Sequence, residues 1–141
     1  MSRPKHKDIA TAIGLIGMLS ATALVVFGDT HDLDSTWISP IGVIFLAGPS
    51  AWVAGLIFGG LFGLPGPWGW AALALGAVLS TFLGAAIAGT FVVPLLGTMI
   101  APFELFEQMI QHPMMLVVWL GLMAGVHVLI LKSESYGTGD A

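Results

Sequence analysis

Three long stretches of this chain carry no charge, and they constrain its fold more than any other feature. Between Asp8 and Asp29 lie 20 residues without Asp, Glu, Lys or Arg. Between Asp34 and Glu104 there are 69, and between Glu107 and Lys132 there are 24. A helical span needs about 20 predominantly apolar residues to cross roughly 30 Å of hydrocarbon. The first and last stretches therefore hold one span each. The middle one holds two, provided that a turn divides it. Gly63-Leu64-Pro65-Gly66-Pro67-Trp68-Gly69 supplies that turn, with helix breakers stacked between two apolar runs. The predicted spans are residues 9–27, 41–62, 70–93 and 114–131. Transmembrane strands would alternate in polarity over about ten residues, whereas these runs are apolar all round.

Composition agrees and closes other routes. Of 141 residues, 57% are hydrophobic and 9% charged, and the mean hydropathy is +0.96. Soluble domains carry about 25% charged residues. Four cations cannot build a nucleic-acid-binding face, so no nucleic-acid partner is expected. With no cysteine there are no disulfides, thiolate metal sites or Cys nucleophiles.

Charge also orients the chain. Arg3, Lys5 and Lys7 precede the first span and Lys132 follows the fourth. Four spans put both ends on one side, and the positive-inside rule makes that side cytoplasmic. Trp37 then falls at the outer boundary and Trp68 and Trp70 at the inner one, where indoles favour the headgroup level. On this topology the inner side nets +1 and the outer side −5, so an outer partner is expected to be cationic rather than anionic. The basic N-terminus, the apolar run after it and Ala21-Thr22-Ala23 have the layout of a signal peptide. The expectation is a signal anchor retained as the first span.

In lipid, helices associate by close backbone approach rather than by hydrophobic burial. The second span carries Ala51, Gly55, Gly59 and Gly63 at four-residue spacing, and the third carries Ala72, Gly76, Ser80, Gly84 and Ala88. Gly121 and Gly125 form one pair in the fourth, and the first has Ala10 with Gly14 and Gly17 with Ala21. These are the expected helix-packing residues. A second small stripe on the third span, Ala77, Thr81, Ala85 and Gly89, calls for a second close neighbour, from this chain or from a partner. Pro49 is expected to kink the second span.

Few residues offer chemistry. The spans contain no Asp, Glu, Lys or Arg, which disfavours proton relays and ion pumps. His127 is the one ionisable residue within a span, placed near its cytoplasmic end. Imidazole ligates haem and chlorin pigments, so His127 and His112 are the cofactor candidates. A bis-histidine haem would need a second histidine at similar depth, and no other span supplies one, so no cofactor held by this chain alone is expected.

On the outer side, Asp29, His31 and Asp34 in the first loop share a compartment with Glu104 and Glu107 in the third. Carboxylate and imidazole together can bind a divalent cation, although the spacing matches no EF-hand or zinc motif. Glu104, Glu107, Gln108 and Gln111 fall at helical spacing opposite Phe103, Phe106 and Ile110, which predicts an amphipathic helix along the outer interface. Residues 94–101 before it either extend the third span past a proline kink or dip back as a re-entrant segment. No nucleophile elbow, phosphate loop or HExxH is present, so no catalytic residues and no enzyme are expected.

The reading is an all-α integral membrane protein in one domain, residues 1–141. Four transmembrane helices form a bundle with cytoplasmic termini and an interfacial helix between the third and fourth. The expected location is a prokaryotic inner membrane, and the expected partners are other membrane subunits, copies of itself, and lipid. The expected role is a small non-catalytic accessory or structural subunit of a respiratory, photosynthetic or transport assembly. The alternatives are a homo-oligomeric channel or carrier for a small neutral solute and a haem- or pigment-binding subunit.

Overall fold

The computed structural model describes residues 6–27 and 39–137. Five helices follow one another: α1 (His6–Phe27), α2 (Pro40–Phe58), α3 (Pro67–Val92), α4 (Leu96–Gln111) and α5 (Pro113–Gly137). There is no strand among the described residues. α1, α2 with the 3₁₀ turn Gly59–Leu61 that extends it, α3 and α5 are each long and apolar enough to cross a membrane. Their outward faces carry large apolar side chains such as Leu19, Ile57, Val78 and Leu120. Contiguous apolar exposure of that kind is unusual for a protein in water and ordinary for one in lipid.

Local chemistry fixes the helix ends. The Ser39 hydroxyl accepts from the Gly42 N–H at 3.2 Å and Pro40 opens α2, an N-cap followed by a residue with φ already helical. Pro67 and Pro113 likewise stand at the first positions of α3 and α5, though Gly66 before α3 supplies no side-chain cap. The turn between α2 and α3 needs left-handed backbone twice, and glycine stands at both places, Gly63 (φ 79°) and Gly66 (φ 83°). Thr11, Thr22 and Thr90 donate to carbonyls four residues back, satisfying their hydroxyls within their own helices.

Small residues let neighbouring backbones close in. Between α1 and α2, Gly55 lies against Ala10 and Ile13, Gly14 against Gly48 and Trp52, and Gly17 against Ala47 and Ala51. The pairing runs antiparallel. Between α2 and α3, a Cβ on Gly84 would sit 3.2 Å from the Ala51 Cα, and one on Gly76 would sit 2.9 Å from the Leu61 Cβ. α5 also runs antiparallel to α3, because Trp119 reaches Thr81 while His127 lies beside Gly69 and Trp70. The start of α1 and the end of α5 share one end of the bundle, where Asp8 and Ile9 line a small pocket with Ile130 and Ser133.

α4 is where the fold departs from four simple spans. The chain reverses through Pro94, Leu95 and Leu96, with the Leu96 N–H donating to the Pro94 carbonyl at 2.9 Å and Leu95 at φ 68°, ψ −59°. That is a γ-turn of the rare, strained kind. α4 then returns along α3. Gly97 meets Gly89, the Thr90 and Thr98 hydroxyls are 2.6 Å apart, and Phe103 stands edge-on to Phe82 at 5.7 Å. At 16 residues α4 rises about 24 Å, short of a full crossing. It contains Pro102, which is buried, and ends at His112, the one residue separating it from α5.

Candidate functional site

Because α4 folds back on α3, a cavity of about 610 Å³ opens between α1, α2, α3 and α4. Its walls are made of small residues, Gly17, Ala47, Gly84, Ala85 and Ala88 among them, with Trp119 and Met123 reaching in from α5. The volume lies within the roughly 300–1,000 Å³ of small-molecule pockets. Small side chains that bring helix pairs together leave room where a third helix fails to follow, and the cavity occupies that room.

Its polar groups are few and differ in what they can still bind. The Trp119 indole N–H, 5% exposed as a residue, donates to the Thr81 hydroxyl at 3.1 Å. The Ser80 hydroxyl donates to the Ala77 carbonyl at 3.2 Å. α4 brings Glu104, Glu107 and Gln108 to the lining. Glu107 Oε1 accepts from the Gln111 side chain at 3.0 Å, and the carboxyls of Glu104 and Glu107 keep access to solvent. Gln108 Oε1 is buried and has no hydrogen-bond partner among the described residues. Hydrogen-bond acceptors dominate this part of the lining, and no Lys or Arg among the described residues lines it.

A second arrangement lies at the other end of the bundle. His127 is 0% exposed, and its Nδ1 accepts from the Gly63 N–H at 3.0 Å. An acceptor nitrogen carries no proton, so a neutral ring holds its proton on Nε2. Nε2 has no partner among the described residues. The Trp70 ring lies tilted at 5.2 Å, and Gly69, which packs on the Leu64 carbonyl, lies beside the imidazole edge. The imidazole thus pins the α2–α3 turn to α5.

The sequence candidates separate accordingly. Glu104 and Glu107 come together at the cavity, on the helix α4, which packs along α3. Asp29, His31 and Asp34 lie outside the described residues. No group of three metal-ligating side chains forms among the described residues. His112 and His127 stand 15 residues apart, roughly 22 Å along α5, so they cannot grip one haem. Of the packing glycines, Gly55, Gly63, Gly76 and Gly84 have close neighbours, and Gly59 is buried where α2 tightens into the 3₁₀ turn. Ser80 is fully buried. Gly121 and Gly125 differ, since a Cβ on either would meet nothing within 4 Å.

Sequence reasoning missed the cavity and the role of Gln108. The available signal was Gly97 with Ala101, a small pair at the spacing that the second stripe of α3 needs. The chain matches no protein-family model, no curated protein and no solved structure.

Proposed function

We propose that this chain is a small, non-catalytic subunit of a larger membrane assembly, docked to other membrane helices through α5. The observation that carries this reading is the bare face around Gly121 and Gly125. Each glycine leaves helix backbone open to lipid, flanked by exposed Val117, Val118 and Leu129. Lipid gains nothing from a glycine groove, whereas another helix gains close van der Waals contact there. The glycines that pair α1 with α2 and α2 with α3 already have their neighbours.

The cations at the two ends, Arg3, Lys5, Lys7 and Lys132, support cytoplasmic termini in a prokaryotic inner membrane. Native mass measurement after extraction in mild detergent tests the assembly. The expected result is a complex containing foreign chains, lost in Gly121→Leu and Gly125→Leu while the helical content of the chain is retained. A lone monomer would sink the proposal. A complex made only of copies of this chain would turn the reading to the homo-oligomeric channel or carrier, with solute flux in proteoliposomes as its own test.

A further inference from the structure

We propose that the cavity between α1, α2, α3 and α4 binds a cationic amphiphile, an alkyl amine whose ammonium group meets Glu104 and Glu107 while its apolar chain lies among the small residues of α2 and α3. The site is separate from the α5 face, and neither depends on the other.

Three observations select that chemistry. The lining is mostly apolar, which suits a hydrocarbon body and not a hydrated metal ion. An ion such as calcium takes six to eight oxygen ligands, whereas here the carboxylates sit one helical turn apart on a single helix. The head must be a donor, because Glu104, Glu107 and the unpartnered Gln108 Oε1 all offer acceptors. It must also be positive, since two carboxylates line the cavity and no Lys or Arg among the described residues lines it with them. An ammonium has three donors and no acceptor, and it meets all three requirements. Carboxylates beside a membrane-crossing helix are costly unless they are paired or open to water, and they commonly mark binding paths. Here α4 brings them alongside α3 while leaving them partly exposed, so a cation can reach them.

The test titrates the purified chain in dodecyl maltoside with dodecylamine, dodecanol and dodecanoate, reading bound ligand by native mass spectrometry and Trp119 fluorescence against a Trp119→Phe control. Dodecylamine should bind in preference to both others. Glu104→Gln combined with Glu107→Gln keeps side-chain size and should weaken it at least about tenfold, the scale of a lost charge-assisted hydrogen bond. Ala88→Leu fills the cavity without changing charge and should also abolish binding. Equal binding of all three probes would overturn the proposal, leaving a generic acyl-chain space. Unchanged dodecylamine affinity in the double variant would overturn it as well. So would the absence of amine binding to the wild-type chain, even if Ala88→Leu released a partner protein, since the cavity would then be a helix socket.

Discussion

The Gly63 N–H donates to the imidazole Nδ1 of His127 at 3.0 Å, joining the α2–α3 turn to α5 across 64 residues of sequence. The donor is the backbone N–H of a buried glycine, and the ring that accepts from it has no exposed surface. His127→Phe preserves a flat ring but strands the N–H, so it should destabilise the bundle by roughly 1–3 kcal/mol. Reversible unfolding in mixed detergent measures this, and a loss below about 0.5 kcal/mol would show that the turn does not need the acceptor.

At the opposite end, Gly89 and Gly97 place α3 and α4 in backbone contact, and a side chain on Gly89 would collide with the Gly97 carbonyl and the Ala101 methyl. Gly89→Val should therefore cost about 1–3 kcal/mol or more, as overpacking does. Gly121→Val in the isolated chain should stay within about 0.5 kcal/mol of wild type, because its Cβ meets nothing. Equal losses for the two would mean that α4 does not pack on α3 as described.

Leu95 holds φ 68° without being glycine, and its side chain is 83% exposed, so little packing repays the strain. Such backbone costs on the order of 1–3 kcal/mol, while glycine adds roughly 0.5–1 kcal/mol of unfolded-chain entropy. Leu95→Gly should thus stabilise the protein by about 1 kcal/mol. A lower melting temperature would contradict the γ-turn.

Thr81→Val keeps the shape of the side chain and removes the hydroxyl that accepts from the Trp119 indole. With Trp119 almost fully buried, the stranded N–H should cost roughly 1–3 kcal/mol. The near-ultraviolet circular dichroism of the tryptophans should change with it. Thr81→Ser should restore both, and failure of that rescue would point to packing of the methyl group instead.

Much of the architecture is legible from where charge is missing. The runs bounded by Asp8, Asp29, Asp34, Glu104, Glu107 and Lys132 became the four long helices, since no soluble surface could be built from them. The turn at Gly63–Gly69 was equally plain, because Gly63 and Gly66 take backbone angles that the other residues there would resist. What periodicity left open was direction. A stripe such as Ala77, Thr81, Ala85 and Gly89 announces a close neighbour without naming it, and its members meet different ones: Gly89 packs on α4, which returns over a proline-containing reversal, while Thr81 accepts from Trp119 of α5. Two identical spacings had different outcomes, with Gly55 against α1 and Gly121 against nothing in the chain. Spacing records that backbone is accessible, not what approaches it. The His127–Gly63 hydrogen bond left no trace in the sequence, because a backbone donor carries no residue identity.

Asp8 and Ser133 line the same small pocket, so the first turns of α1 stand beside the later turns of α5. Dyes attached near those positions would form a molecular ruler, bright in energy transfer while α1 and α5 stay docked and dark once they separate. One position on α1 and one on α5 can thus report on the integrity of everything between them.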